Sequence, residues 1–257
     1  MALALATAAC GAAMADDSSV SGERRQLPPG AVRDVVLVHG AWADASSWGG
    51  VIERLQHDGY TVRAVQLPMQ SLAADAALVR AELVRIGRPL VLAGHSYGGA
   101  VITEAAAGVS NVSGLVYAAA YALDQGETLG GLTARFPETP VAKALVFDDR
   151  GNATLEPEAF ARLFAPELPA RQARVLAVVQ KPISGAIFGE AAGPPAWRTA
   201  PAWYQVSRDD QVLSPELQRF VARRMQARIT ELRSGHGSPL TQPRALAELI
   251  ETAARGR

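Results

Sequence analysis

The sequence predicts an α/β fold: a mostly parallel, doubly wound sheet with an inserted, mainly helical cap. Three observations carry this. Short, wholly apolar and β-branched runs such as Val35–Val38 read as strands buried on both faces of a parallel sheet. These runs alternate with amphipathic helical patterns, the rhythm of strand–helix–strand units. That rhythm breaks over residues 122–200, which are rich in proline and glycine, and then resumes. A segment of that length is too long for a loop and reads as an insertion.

The elements follow in order. The domain opens at Arg33, and Val35–Val38 forms the first strand, ended by His39-Gly40-Ala41-Trp42. A helix is expected from Ser47 to His57, closed by Gly59, and a strand from Tyr60 to Val65. Ser71 is placed to cap a helix running to Ile86, with Leu72, Ala76, Val79 and Leu83 on one face. Leu90–Ala93 is the next strand, Ala100–Ala107 a helix and Val112–Tyr117 a strand. Within the insertion, Leu155–Phe164 and Ala170–Gln180 read as helices. The regular order returns with strand Ala202–Ser207, helix Pro215–Met225, strand Arg228–Leu232 and helix Pro243–Ala254. Residues 31–121 and 201–257 thus make the core, and 1–30 a leader and linker.

Composition narrows the function. With 257 residues, 49% of them hydrophobic, the chain can bury one large α/β core. The 25 basic residues balance 25 acidic ones, so no net field draws the chain to nucleic acid or an anionic membrane. The single cysteine, Cys10, excludes an intrachain disulfide framework and a thiolate metal cluster. Ala2–Ala15 is uncharged and too short to span a bilayer. It resembles the apolar part of a secretory signal, with Ala13-Met14-Ala15 as a small-x-small cleavage site, although no basic residue precedes it. Export to the periplasm or medium is the expectation if this leader works as a signal, and a cytoplasmic place otherwise.

The stretch Gly94-His-Ser-Tyr-Gly-Gly99 is the most informative motif. A serine between glycines, after an apolar run and before an alanine-rich one, is a nucleophile elbow on a strand-to-helix turn. The turn is so tight that side chains at positions 94 and 98 would collide. A serine hydroxyl needs a general base within hydrogen-bond reach, and the base needs an acid to fix its tautomer. In α/β-hydrolases the chain order is serine, acid, histidine. His39 and His95 precede or flank Ser96, and His57 ends a surface helix. Only His236 follows, in the small-residue turn Ser234-Gly-His-Gly237. The acid should follow strand Ala202–Ser207, where Asp209 and Asp210 both stand; Asp124, at the start of the insertion, is a third choice. The oxyanion donors would be the backbone N–H groups of Ala41 and Tyr97, with Gly40 allowing close approach.

The chain resembles α/β-hydrolases of the small bacterial esterase branch, which is itself similar to plant methyl esterases, hydroxynitrile lyases and pyrethroid-hydrolysing esterases. The resemblance covers residues 33–252. It rests on Val36-Leu-Val-His-Gly-Ala-Trp42 with Trp48, on the elbow, on Val116-Tyr-Ala-Ala-Ala-Tyr121, on Trp203 to Pro215, and on Ser234-Gly-His236. It implies Ser96 as nucleophile, His236 as base, Ala41 and Tyr97 as oxyanion donors, and no cofactor or metal. The spacing to Leu213-Ser-Pro215 in the family pattern implies Asp210 rather than Asp209 as the acid. Two departures count against lyase activity: Gly237 and Gly40 stand where those lyases carry a lysine and a threonine.

The reading is a carboxylic-ester hydrolase, and the apolar, aromatic-bearing insertion suits small hydrophobic or aryl esters. Other readings remain beside it: a lactone or amide hydrolase, a cofactor-free lyase or perhydrolase, or a non-catalytic receptor for a small ligand. Trp42, Met69, Phe136, Phe147, Phe160, Phe164, Phe188 and Trp197 are the apolar residues expected to offer pocket walls. At helical spacing many such residues belong to a core instead. The oligomeric state is not legible.

Overall fold

A computed structural model describes residue 27 and residues 29–256. The expected leader, Cys10 and the site at Ala13-Met14-Ala15 lie outside the described residues.

In chain order the core begins with β1 (Asp34–Val38), α1 (Gly49–His57), β2 (Thr61–Val65), α2 (Leu72–Ile86), β3 (Leu90–His95), α3 (Tyr97–Ala105) and β4 (Val112–Ala118). Then come α4 (Leu129–Thr133), β5 (Leu145–Phe147), β6 (Asn152–Leu155), α5 (Pro157–Leu163), α6 (Ala170–Val178) and β7 (Ile183–Ser184). The chain closes with β8 (Ala202–Ser207), α7 (Pro215–Arg224), β9 (Arg228–Leu232), α8 (Ser238–Thr241) and α9 (Pro243–Ala254).

The main sheet has six strands in the order β2-β1-β3-β4-β8-β9, every pair parallel. Alternation along its central strands divides the core in two. Val36, Val38, Leu90 and Leu92 lie on the α3 side of the sheet, in one cluster with Val79 and Leu83 of α2 and Val101 of α3. Val35, Leu37, Val91 and Ala93 face α1 and α9, meeting Val51, Leu55, Leu246 and Ile250. This two-sided burial is why β1 and β3 read as unbroken apolar runs. The edge strand β9 is exposed along most of its length and carries Arg228 and Glu231, charges that discourage edge pairing.

Several boundaries differ from the sequence reading, each for a local reason. The helix expected from Ser47 divides into a 3₁₀ turn, Ala45–Trp48, and α1. The Asp44 side chain accepts from Ser46 N–H at 2.7 Å and starts that turn. β3 runs on to His95, and α3 begins at Tyr97 with only Ser96 between them. Leu155 belongs to β6, and the helix behind it starts at Pro157, the position a helix tolerates proline best. Ser71 caps α2 as expected, its Oγ accepting from Ala74 N–H at 3.3 Å.

Residues 122–200 fall between β4 and β8, which pair directly, so the segment adds no strand to the main sheet. Besides short helices it contains a three-stranded antiparallel sheet, β5-β6-β7. Its strands have 3, 4 and 2 residues, too few to display a period in sequence. The segment is anchored to the core by polar contacts. Trp42 Nε1–H donates to the Ala153 carbonyl at 3.1 Å, and Ser184 N–H to the Met69 carbonyl at 2.9 Å. The Lys181 ammonium donates to the Leu67 carbonyl. The Glu190 carboxylate accepts from Ser71 Oγ, Leu72 N–H and Ala73 N–H at 2.7–3.0 Å, at the positive end of the α2 dipole. Among the described residues no helix is long and apolar enough to cross a membrane.

Candidate active site

Among the described residues, four of the five non-glycine residues with positive φ lie just beyond the C-terminal ends of successive strands: Trp42 after β1, Met69 after β2, Ser96 after β3 and Ala119 after β4. This is the edge where open α/β sheets place their sites, and backbone strain gathers where a fold holds a group against its own preference.

Ser96 has φ 52° and ψ −120°, between a strand and a helix. Its N–H donates to the Ala118 carbonyl at 3.2 Å, and its carbonyl accepts from Gly99 N–H and Tyr121 N–H at 3.0 and 3.1 Å. The flanking glycines are sterically required. A Cβ on Gly94 would stand 2.5 Å from the Gly98 carbonyl oxygen, and one on Gly98 would stand 2.6 Å from the carbonyl oxygens of Val38 and His39.

The structure brings Ser96, His236 and Asp210 together. His236 Nε2 lies 2.8 Å from Ser96 Oγ, and His236 Nδ1 lies 2.8 Å from Asp210 Oδ2. The His236 and Asp210 side chains are fully buried. Asp210 accepts from four donors: Val212 N–H (2.8 Å) and Leu213 N–H (2.9 Å) on Oδ1, Gln218 Nε2–H and His236 Nδ1–H (2.8 Å each) on Oδ2. With Nδ1 donating, Nε2 is bare and aimed at the serine hydroxyl. Asp209, by contrast, is a surface turn residue facing Arg233 at 3.8 Å. Asp124 is held by Arg198 at 2.7 and 2.8 Å.

The remaining histidines have separate positions. His57 is exposed beside Asp58. His39 is buried, and its Nδ1–H donates to the Gly40 carbonyl at 2.9 Å while Nε2 accepts from Leu67 N–H at 3.0 Å. Burial holds its pKa below the ordinary imidazole value, which suits this neutral role of fixing the loop after β1. His95 is buried beside His236, its Nε2 2.9 Å from the His236 carbonyl.

Ala41 follows Gly40 in the loop after β1, and Tyr97 follows Ser96 directly. Tyr97 opens α3, so its N–H has no carbonyl one turn behind it. The loop bearing Ala41 packs so closely that a Cβ on Gly40 would stand 2.8 Å from Ser96 Cβ. The Tyr97 side chain turns into the core, donating its hydroxyl to Asp75 Oδ2 at 2.7 Å, while Asp75 Oδ1 accepts from Met69 N–H at 3.1 Å. Burial raises the pKa of Asp75, and burial with Asp75 nearby raises that of Tyr97 well above the usual phenol range.

Of the apolar residues expected to line a pocket, Phe164 meets the site directly: its ring stands edge-on to His236 with centroids 5.2 Å apart and stacks on Phe160 at 4.7 Å. Trp42 and Met69 sit on the strained strand-end turns, buried. Phe188 is half-buried behind α4, its carbonyl against Gly130. The structure does not bring Phe136, Phe147 or Trp197 to the serine. Phe136 packs on Phe220 of α7, Trp197 donates Nε1–H to the Leu123 carbonyl at 3.0 Å, and Phe147 is 54% exposed on edge strand β5.

Sequence reasoning missed the supports of the site. Gln218 holds Asp210 with its amide N–H and accepts Ser207 N–H at 2.9 Å. Its signal was a polar residue on the buried face of a helix, between Leu217 and Val221. Ser207, Ser234, Gln205 and Ser238 form a buried hydrogen-bonded chain beneath the His236 turn. The Glu167 carboxylate accepts from Gly235 N–H, and the Phe164 carbonyl from Gly237 N–H at 2.6 Å. No group of three or more His, Cys, Asp and Glu among the described residues is placed to hold a metal.

Comparison with known proteins places this geometry. A model of the alpha/beta hydrolase family matches residues 35–249. An alpha/beta hydrolase of Aspergillus novofumigatus is 24% identical over 243 residues, covering 86% of this chain and 96% of the fungal protein. The structure is similar to that of a pyrethroid hydrolase from Sphingobium faniae (25% identity, TM-score 0.70, 86% of this chain and 96% of that one). It also matches the fold of a methylesterase from Arabidopsis (20% identity, TM-score 0.71, 88% and 100%).

Proposed function

The chain belongs to the alpha/beta hydrolase family, and from that premise we propose that it hydrolyses carboxylic esters through an acyl-enzyme on Ser96. The observation that carries this reading is the unbroken hydrogen-bonded line Asp210–His236–Ser96 ending at a strained serine.

In this reading Ser96 Oγ attacks the ester carbonyl carbon as His236 Nε2 takes its proton. Asp210 keeps Nδ1–H in place and stabilises the imidazolium that forms. The N–H groups of Ala41 and Tyr97 hold the oxyanion, each donor being worth about 10²–10³ in rate. His236 then returns the proton to the leaving alkoxide and the alcohol departs. Water attacks the acyl-serine with His236 again as base, and the carboxylic acid leaves with Ser96 restored.

Residues 122–200 act as a cap over the serine in this proposal. Ser96 is only 5% exposed and Phe164 walls the base, so the acyl group is enclosed by apolar surface. That favours small hydrophobic or aryl esters, and the similarity to a pyrethroid hydrolase accords with an apolar substrate. Gly237 and Gly40 count against a lyase: a Cβ at either would meet Ala165 or Ser96 at 2.8 Å, leaving no room for a lysine or a threonine.

A panel of p-nitrophenyl esters with matched lactones and amides tests the reading. Turnover highest on short-chain or aryl esters and abolished in Ser96→Ala is expected. Turnover that survives Ser96→Ala, or tight binding of a small ligand with no turnover, overturns it. Export belongs to the same proposal, and the mass of the mature N-terminus checks it: cleavage after Ala15 supports a working signal, and an intact leader contradicts it.

A further inference from the structure

The residue before the nucleophile has a task that the triad leaves unassigned. His95 is 1% exposed, and its ring lies 4.8 Å from the His236 ring, centroid to centroid. Its Nε2 faces the His236 main-chain carbonyl at 2.9 Å across 141 residues of sequence. Its Nδ1 is buried with no hydrogen-bond partner. The edges of Trp48 and Phe164 close the remaining sides at 6.5 and 6.0 Å between centroids. A carbonyl only accepts, so Nε2 carries the proton and Nδ1 is bare. Burial, and then the neighbouring His236, hold its pKa well below the ordinary imidazole value, so the ring keeps a single N–H.

We infer that His95 is a positioning residue: it ties the backbone of the base to the backbone of the nucleophile. The inference rests on the serine-hydrolase reading above. The peptide that presents Ser96 also holds the carbonyl of His236, so Oγ and Nε2 keep their distance as charge moves between them. The two flanking amides of the base are held from the other side, Gly235 N–H by Glu167 and Gly237 N–H by the Phe164 carbonyl. Those two bonds come from the segment between α5 and α6. The bond from His95 is the hold supplied by the elbow itself.

The ring's neutrality follows from its position. A cation there would oppose the imidazolium that His236 becomes on accepting the serine proton. A permanently charged replacement is therefore worse than an uncharged one that lacks the donor.

Three variants of the full chain separate the cases. His95→Gln can place an amide N–H near Nε2, and nothing is lost at the unpartnered Nδ1. His95→Leu keeps the bulk without the donor, and His95→Arg adds a permanent charge. Each is titrated with a fluorophosphonate to count competent serines, and kcat is expressed per titrated site. A purely structural role lowers the number of sites but not kcat per site. The positioning role lowers kcat per site in His95→Leu by about 10²-fold with KM little changed, since a misplacement near 1 Å has that cost. His95→Gln should return to within about tenfold of the wild type, one neutral hydrogen bond having been restored. His95→Arg should fall below His95→Leu. Equal kcat per site in the wild type and His95→Leu overturns the inference while leaving the triad standing. A wild-type protein that the probe never labels overturns the triad reading, and the inference falls with it.

Discussion

Replacing Asp210 by asparagine tests the acid through its hydrogen bonds. Four donors converge on the carboxylate: Val212 and Leu213 N–H on Oδ1, Gln218 Nε2–H and His236 Nδ1–H on Oδ2. A carboxamide accepts at one end only. If its NH₂ faces Val212 and Leu213, two buried backbone donors lose their acceptor, at about 1–3 kcal/mol each. If its NH₂ faces Gln218 and His236, the glutamine donor loses that acceptor but keeps the Leu213 carbonyl at 2.8 Å. His236 then adapts by moving its proton to Nε2. The second arrangement is cheaper by roughly one unpaired donor, so the variant should settle there. Its cost is about 1–3 kcal/mol of stability, or several degrees in Tm at this size. The same arrangement puts a proton on the nitrogen that must accept one from Ser96, so kcat should fall by about 10³–10⁴ with KM nearly unchanged. Ester turnover and thermal melts on the same samples provide the assay. An Asp210→Asn protein within about tenfold of wild-type kcat would refute the assignment of the acid and its tautomer.

Two further outcomes follow from local geometry. Gly40→Ala puts a Cβ 2.8 Å from Ser96 Cβ and 3.0 Å from His95 Nδ1. It should cost about 1–3 kcal/mol and, by shifting the Ala41 donor, about 10²–10³ in kcat; an unchanged kcat would remove Ala41 from the oxyanion site. His39 and His95 both have folded pKa values below the ordinary 6.5. Below pH 6.5 the unfolded chain therefore takes protons that the fold refuses, and stability falls as pH drops. Each histidine contributes up to about 1.4 kcal/mol per pH unit in that window. Urea midpoints between pH 6.5 and 5 should fall less steeply in His95→Gln than in the wild type, and equal slopes would contradict it.

Much of this was legible in sequence because the physics is local. β1 and β3 are buried on both faces, so Val35–Val38 and Leu90–Ala93 read as unbroken apolar runs. The elbow was legible because backbone crowding at Gly94 and Gly98 leaves only one residue type. Chain order selected His236. Position after the strand left adjacent aspartates, and only the family pattern pointed to Asp210; in the structure Asp209 stands at the surface and Asp210 under four donors. What escaped is non-local. Glu190 capping α2 lies 119 positions from Ser71, and Glu167 on Gly235 lies 68 positions away. Nothing in a single sequence pairs them. Gln218, Gln205 and the buried serines have meaning only through one another. The strands of the insertion are too short to show a period, and its aromatics, alike in sequence, divide by packing into Phe164 at the base and Phe147 at the surface.

The central claim is that Ser96 becomes acylated. Intact-mass spectrometry of the protein quenched during turnover of a p-nitrophenyl ester tests this most directly. The account predicts a gain of one acyl group, carried by the proteolytic peptide that contains Ser96 and absent in Ser96→Ala. Ester turnover with no covalent adduct, or an adduct on another residue, would contradict it.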